Sequence, residues 1–161
     1  MASLTAQVNR RLASTRVLLA ELATSSERTP FAEQAILEAG LFHLCCGYTH
    51  YLRELCGYYG VSSIAAIDTE VDARQALERL GKQPAEVTEL CQLAQRPDAW
   101  LSQLLSSYRA CWASDANSEH LIQVQRLDDT PLVDLSRAHL TQWLDELQAT
   151  IERHRQSSTE C

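Results

Sequence analysis

A heptad pattern between Thr29 and Gly60 is the feature that most constrains the fold of this chain. Thr29 can cap a helix, Pro30 suits its first turn, and Gly60 can end it. Between them the apolar side chains recur at alternating spacings of four and three residues: Leu37, Leu41, Leu44, Tyr48, Tyr51, Leu55 and Tyr58. Because residues at this spacing lie on one side of an α-helix, the pattern predicts a long helix packed along its length in a bundle.

Further helices follow from periodicity and from end signals. Their expected ranges are 4–24, 70–80, 84–96, 98–113 and 136–155. Residues 114–134 form an irregular connection in which partial alternation and turn residues predict a short strand or hairpin near 120–133. Residues 157–161 are expected to be a frayed tail. The whole chain, 1–161, therefore reads as one all-α domain, an antiparallel helical bundle of three or four long helices plus two short helices.

The charge balance restricts the partners and the location. The chain has 161 residues and a formal net charge of −7, which keeps a protein soluble and opposes binding to nucleic acid. The most apolar stretch, 36–59, holds several charged or imidazole side chains, so it does not suit a membrane span. The start of the chain lacks the pattern of a secretory signal. We expect a cytoplasmic protein that binds neither nucleic acid nor a membrane.

The six cysteines include no C-x-x-C pair. In a cytoplasmic chain of this length we expect reduced thiols that act mostly as small buried hydrophobic residues. A thiol enzyme or redox sensor would need a cysteine in a cationic setting, and the best candidate by position is Cys56, near Arg53.

Four side chains on the long helix are candidate metal ligands. His43, Cys46, His50 and Glu54 are spaced three, four and four residues apart, so they lie along one side of the helix. These residue types bind transition metals such as zinc, and a ligand from a second helix, His139 or Cys111, would complete the site. The alternative, which we favour, is that this flank is a solvated or second packing face, since it avoids the heptad stripe. No cofactor is expected in that case.

Small residues lie near the same flank, with Gly40 and Gly47 the central ones. A small residue lets another backbone approach closely. The neighbour is either another helix of the same chain, which we favour, or a second copy in a homodimer.

Signatures of catalysis are missing from the sequence. No Glu is followed three residues later by His, as a di-iron bundle requires, and there is no G-x-S-x-G, G-x-G-x-x-G or H-E-x-x-H pattern. The run Arg153-His154-Arg155 is expected to be exposed and polar. No catalytic residue is assigned, which favours a non-catalytic protein, although catalytic groups far apart in sequence would escape such a search.

Two stretches resemble an uncharacterised family of small bacterial helical proteins. They are Glu38-Ala39-Gly40-Leu41-Phe42-His43-Leu44 and Leu93-Ala94-Gln95-Arg96-Pro97-Asp98-Ala99-Trp100-Leu101. The resemblance extends along most of the chain. It implies an all-helical core and a bacterial cytoplasmic origin, but it carries no activity and no functional residue.

Two hypotheses about function follow. The first is a non-catalytic helical bundle that works through protein–protein contacts, as a homodimer or with an unidentified protein partner. The second is a bundle that binds a metal or a small ligand through His43, Cys46, His50 and Glu54.

Overall fold

The structure is a computed structural model that describes residues 3–24, 27–112 and 134–159. Over these ranges the secondary structure is helical, with no strand, which confirms the all-α class. The predicted hairpin near 120–133 lies outside the described residues. The helices are α1 Leu4–Thr24, α2 Pro30–Tyr58, α3 Glu70–Glu78, α4 Ala85–Gln95, α5 Trp100–Ala110 and α6 Arg137–Thr159, with a 3-10 turn at Ile64–Ala66.

The ends of α2 follow the signals in its sequence. The Thr29 side chain accepts a hydrogen bond from the backbone N–H of Ala32 at 3.2 Å, and Pro30 occupies the first turn. Gly60, just beyond the helix, has a φ of +90°, a conformation that glycine adopts without steric cost. The expected boundaries of this helix are therefore confirmed, and its 29 residues run without a break.

The last two helices differ from their predicted ranges. Helix α5 ends at Ala110, short of the expected residue 113, and α6 continues to Thr159, into the expected tail. No glycine or proline lies between residues 155 and 159, so nothing in the local sequence stops α6 there.

The three long helices lie side by side. Thr15 faces Gly40 and Leu4 faces Gly57, so α1 and α2 are antiparallel. Gly40 of α2 faces Leu140 near the start of α6, and Glu54 of α2 faces Arg155 near the end of α6, so these two helices run in the same direction. The expected antiparallel arrangement thus holds for α1 and α2, but the α2–α6 pair is parallel. Short turns favour antiparallel neighbours, and here three helices intervene between the two partners.

One continuous cluster of buried side chains connects all six helices. Leu37, Leu41, Leu44, Tyr48, Tyr51 and Leu55 of the α2 stripe belong to it, whereas Tyr58 is exposed. Helices α3, α4 and α5 contribute Leu77, Leu90 and Leu104, and α6 contributes Trp143, all fully buried. Helix α2 is therefore the central element of the described structure.

Candidate functional site

His43 lies on the flank of α2 that faces α1. Its Nδ1 is 3.0 Å from Nη1 of Arg11. Because a guanidinium can only donate, Nδ1 accepts, and the proton of the neutral ring is on Nε2. Burial and the nearby charges of Arg11 and Arg10 lower the pKa of His43, which favours this neutral form.

Cys46 and His50 follow on the same flank, both half-buried. Burial and the charges of Arg53, Arg11 and Arg10 lower the pKa of His50. The pKa of the Cys46 thiol is raised by burial, against the opposing effect of the same neighbouring arginines Arg11 and Arg53. The Nδ1 atom of His50 is buried and has no hydrogen-bond partner among the described residues.

Glu54, the fourth predicted metal ligand, is engaged elsewhere. Its two carboxylate oxygens each lie 2.9 Å from a nitrogen of the Arg155 guanidinium, in a bidentate ion pair that joins α2 to α6. The Arg155 side chain also reaches Asn9 on α1 at 3.2 Å. A carboxylate held in this way contributes to packing between helices.

The described residues contain no group of three or more His, Cys, Asp or Glu side chains that could hold a metal ion. His139, a candidate ligand from a second helix, contacts the Ser136 hydroxyl and the Asp134 carbonyl through its Nδ1. The four predicted residues therefore share a helix flank, as their spacing indicates, but Arg11 contacts His43 and Arg155 holds Glu54.

Gly40 and Gly47, the candidate interface residues, are both buried between helices of the same chain. A Cβ at Gly40 would lie 2.6 Å from Cδ2 of Leu140 in α6, and one at Gly47 would lie 3.3 Å from Cβ of Arg11 in α1. Such contacts are expected if the small residues of α2 let helices of the same chain, α1 and α6, approach closely.

The cysteines of the described residues are free thiols. Burial is the largest cause of a raised pKa at all five: Cys45, Cys46, Cys56, Cys91 and Cys111. The pKa of Cys56, the candidate with the most cationic position in the sequence, is raised to about 11. A thiol in this state is protonated at neutral pH and is a poor nucleophile, which disfavours thiol catalysis.

A polar network that is buried at Tyr51 and His154 and open to solvent at Arg153 links α2, α4 and α6. The Tyr51 hydroxyl is 2.7 Å from Nδ1 of His154, and Nε2 of His154 is 2.9 Å from a carboxylate oxygen of Glu89. Arg153 binds both oxygens of Glu89, at 2.8 and 2.9 Å. The hydrogen bonds from Arg153, opposed by burial and assisted by His154, lower the pKa of Glu89 to about 2.

The proton positions in this network follow from the charge on Glu89. An ionised carboxylate only accepts, so Nε2 of His154 donates to it, and this is the tautomer whose Nδ1 accepts from the Tyr51 hydroxyl. The order of groups resembles a catalytic relay, but His154 is only 3% exposed and Tyr51 1%. A substrate has no access to these atoms, and the network therefore serves to fix α6 against α2 and α4.

His154 was expected to be exposed, and this prediction is wrong. The charged neighbours Arg153 and Arg155 suggest an exposed side chain. The spacing of His154 from Leu147 and Ile151, seven and three residues, instead places it on the apolar stripe of α6. This periodicity is the sequence signal that predicts burial of His154.

The outer side of α2 carries exposed aromatic rings. Phe31 is 85% exposed and Phe42 is 44% exposed. Phe42 follows Phe31 by eleven positions, about three helical turns, so both rings lie on the same side of α2, about 16 Å apart along the helix. The Arg11 guanidinium lies 5.8 Å from the centre of the Phe42 ring, a cation–π contact. We call Phe31, Ala35, Glu38 and Phe42 the outer face of α2.

The end of α5 lies near this outer face. After burial, the charge of Glu38 is the largest cause of the raised pKa of Cys111, which indicates that the two side chains are close. Trp112 follows directly and is 75% exposed, although its spacing in the sequence predicts a place on the apolar side of α5. Helix α5 ends before it, at Ala110, so the helical spacing no longer applies.

These observations describe an all-α bundle whose polar contacts link helices and whose helix α2 carries two exposed phenylalanine rings on one side. The chain belongs to the family of unknown function DUF6586, whose model matches residues 1–161. The resemblance to an uncharacterised family is thereby confirmed. No curated protein and no solved structure was found to match the chain. None of the described helices is long and apolar enough to cross a membrane.

Proposed function

We propose that this chain is a non-catalytic helical-bundle protein that works through protein–protein contacts, and that it associates with a second copy of itself through the outer face of α2. The observation that carries this proposal is the exposure of Phe31 and Phe42 on one side of a helix whose other sides are packed. Exposed apolar patches of this kind mark interaction sites in soluble proteins.

The size of the patch supports an interface. A buried aromatic side chain covers about 150–250 Å², so the exposed parts of Phe31 and Phe42 amount to roughly 250 Å². Each partner of a standard protein interface contributes about 800 Å². The two phenylalanine rings thus supply about a third of one partner's share, and they provide the kind of anchor that dominates interface energetics.

The outer face also complements itself. In an antiparallel pairing of two α2 helices about a twofold axis between residues 36 and 37, Phe31 of one copy lies opposite Phe42 of the other, and Ala35 lies opposite Glu38. The small Ala35 side chain permits close approach at the centre. Both aromatic anchors then have an aromatic neighbour, and Arg11 adds a cation beside each pair. This is the isologous interface of a twofold dimer.

Sedimentation velocity over a wide concentration range tests self-association. The wild-type protein is expected to form a dimer as concentration rises. Phe31→Ser removes two rings from each dimer and should weaken dimerisation at least about a hundredfold, since burying a phenylalanine contributes about 1.5–3 kcal/mol. Leu80→Ser, at an exposed apolar position just beyond α3, is the matched control and should dimerise like the wild type. A strictly monomeric wild-type protein contradicts the proposal.

We also propose a cytoplasmic location in a bacterium. The free cysteines support a reducing compartment, because secreted chains with several cysteines usually pair them. Fractionation of a cell that expresses the chain, with detection of the untagged protein, tests the location, and recovery from the periplasm or culture medium contradicts it.

A further inference from the structure

Arg10 and Arg11 carry positive charge on the first half of α1, where the sequence has no acidic residue. Six other arginines each lie within 4.0 Å of a carboxylate: Arg28, Arg53, Arg74, Arg96, Arg153 and Arg155. Arg10 and Arg11 form no such ion pair with a described residue, and the same holds for Arg16, Arg79 and Arg137. This part of α1 therefore keeps its positive charge.

Two half-buried imidazoles lie beside these arginines. The charges that act on both His43 and His50 come from Arg11 and Arg10, with Arg53 also acting on His50. Arg53 itself is held by the Asp68 carboxylate and the Ile67 carbonyl. The groove between α1 and α2 is thus a local region of positive potential on an acidic protein.

Polar atoms in this groove are left without partners. Nε of Arg11 and Nδ1 of His50 are both buried and form no hydrogen bond with any described residue. Unpaired buried polar atoms are rare in folded proteins, and they often indicate a bound water or ion. Arg11 Nε on α1 and His50 Nδ1 on α2 both lie in this positive region, which favours an anion over a cation as the missing partner.

We propose that the groove between α1 and α2 binds a small oxyanion, a phosphate or a carboxylate, through Arg11, His43 and His50. The Arg11 guanidinium offers the planar pair of N–H donors that suits an oxyanion, and Nε2 of His43 carries a proton to donate. Gly47 lets the backbone of Arg11 lie against α2, at the level of these imidazoles.

The test is a titration of the full-length protein with inorganic phosphate, followed by nitrogen NMR of the histidine rings at constant ionic strength. The His43 and His50 signals are expected to shift and saturate. His139, which contacts Ser136 and the Asp134 carbonyl, is the internal control and should not shift. A parallel titration with acetate distinguishes the two sources, since saturation by acetate alone assigns the site to a carboxylate.

Variants separate a built site from a general effect of charge. Arg11→Lys keeps the charge but removes the planar pair of donors, and His50→Gln removes an imidazole; each should weaken binding about tenfold or more, as expected for one hydrogen bond to a charged group. Arg74→Gln, which removes a positive charge on α3, should bind like the wild type. Equal binding by Arg11→Lys and His50→Gln, or equal shifts with chloride in place of phosphate and acetate, overturns the proposal.

Discussion

Replacing Gly40 by alanine tests how closely α6 packs against α2. The new Cβ would lie 2.6 Å from Cδ2 of Leu140, well inside the 3.4–4 Å of ordinary contact, and Leu140 is fully buried. Overpacking of this kind typically costs about 1–3 kcal/mol. Alanine gains about 1 kcal/mol over glycine in a helix interior. The expected net effect is a loss of stability of up to about 2 kcal/mol.

Gly47→Ala is the matched control on the same helix. Its Cβ would lie 3.3 Å from Cβ of Arg11 and 3.5 Å from Cδ2 of Leu12, so only small adjustments are needed. The gain in helix propensity then dominates, and the variant should be as stable as the wild type or more stable by up to about 1 kcal/mol. Urea unfolding followed by far-UV circular dichroism measures both variants.

The Leu140→Ala background reverses the expected sign at Gly40. Truncation of Leu140 removes the clashing Cδ2 and leaves a cavity that a Cβ partly fills, so Gly40→Ala should stabilise the protein there. If Gly40→Ala raises stability in the wild-type background as much as Gly47→Ala does, α6 does not pack closely against Gly40 and the reasoning is refuted.

Two further predictions concern the buried network. Because the folded-state pKa of Glu89 is lowered from 4.5 to about 2, its contribution to stability is present above about pH 4.5 and is lost as the pH falls towards 2. The difference in unfolding free energy between the wild type and Glu89→Gln should therefore shrink over this pH range. A difference that stays constant contradicts this prediction. Tyr51→Phe leaves Nδ1 of the buried His154 without its donor and should cost about 1–3 kcal/mol in urea unfolding, whereas the exposed Tyr58→Phe should change stability by less than about 0.5 kcal/mol; equal effects would show that the hydrogen bond does not stabilise the fold.

Most helix positions are predictable from the sequence because their causes are local. Capping by Thr29, the fixed φ of Pro30 and the positive φ of Gly60 depend on a few neighbouring residues, and together they define α2. The apolar stripe of α2 is equally local, since its period alone identifies the side that is buried.

The arrangement of the helices is not predictable in this way. Gly40 meets Leu140, one hundred residues further along the chain, and the sequence does not show that this partner is on α6 or that α6 runs parallel to α2. The same limit applies to Glu54. Its place beside His50 on the helix indicates a shared site, but its carboxylate binds Arg155, which no local pattern reveals.

Exposure was harder to predict than helicity. The helical spacing of Trp112 predicts burial but its side chain is exposed, whereas the charged neighbours of His154 predict exposure but its ring is buried. Trp112 lies beyond the end of its helix, and His154 is buried because Tyr51 and Glu89 satisfy both ring nitrogens. Burial of a polar group depends on partners from other helices, which only the folded chain brings together.

Photo-cross-linking tests self-association through the outer face of α2 most directly. A benzophenone amino acid replaces Phe31, and chains labelled with ¹⁵N are mixed with unlabelled chains before irradiation. The twofold pairing predicts cross-links between labelled and unlabelled chains, at residues around Phe42 of the second copy. Cross-links confined to single chains, or joining Phe31 to sites away from the outer face of α2, would contradict the proposal.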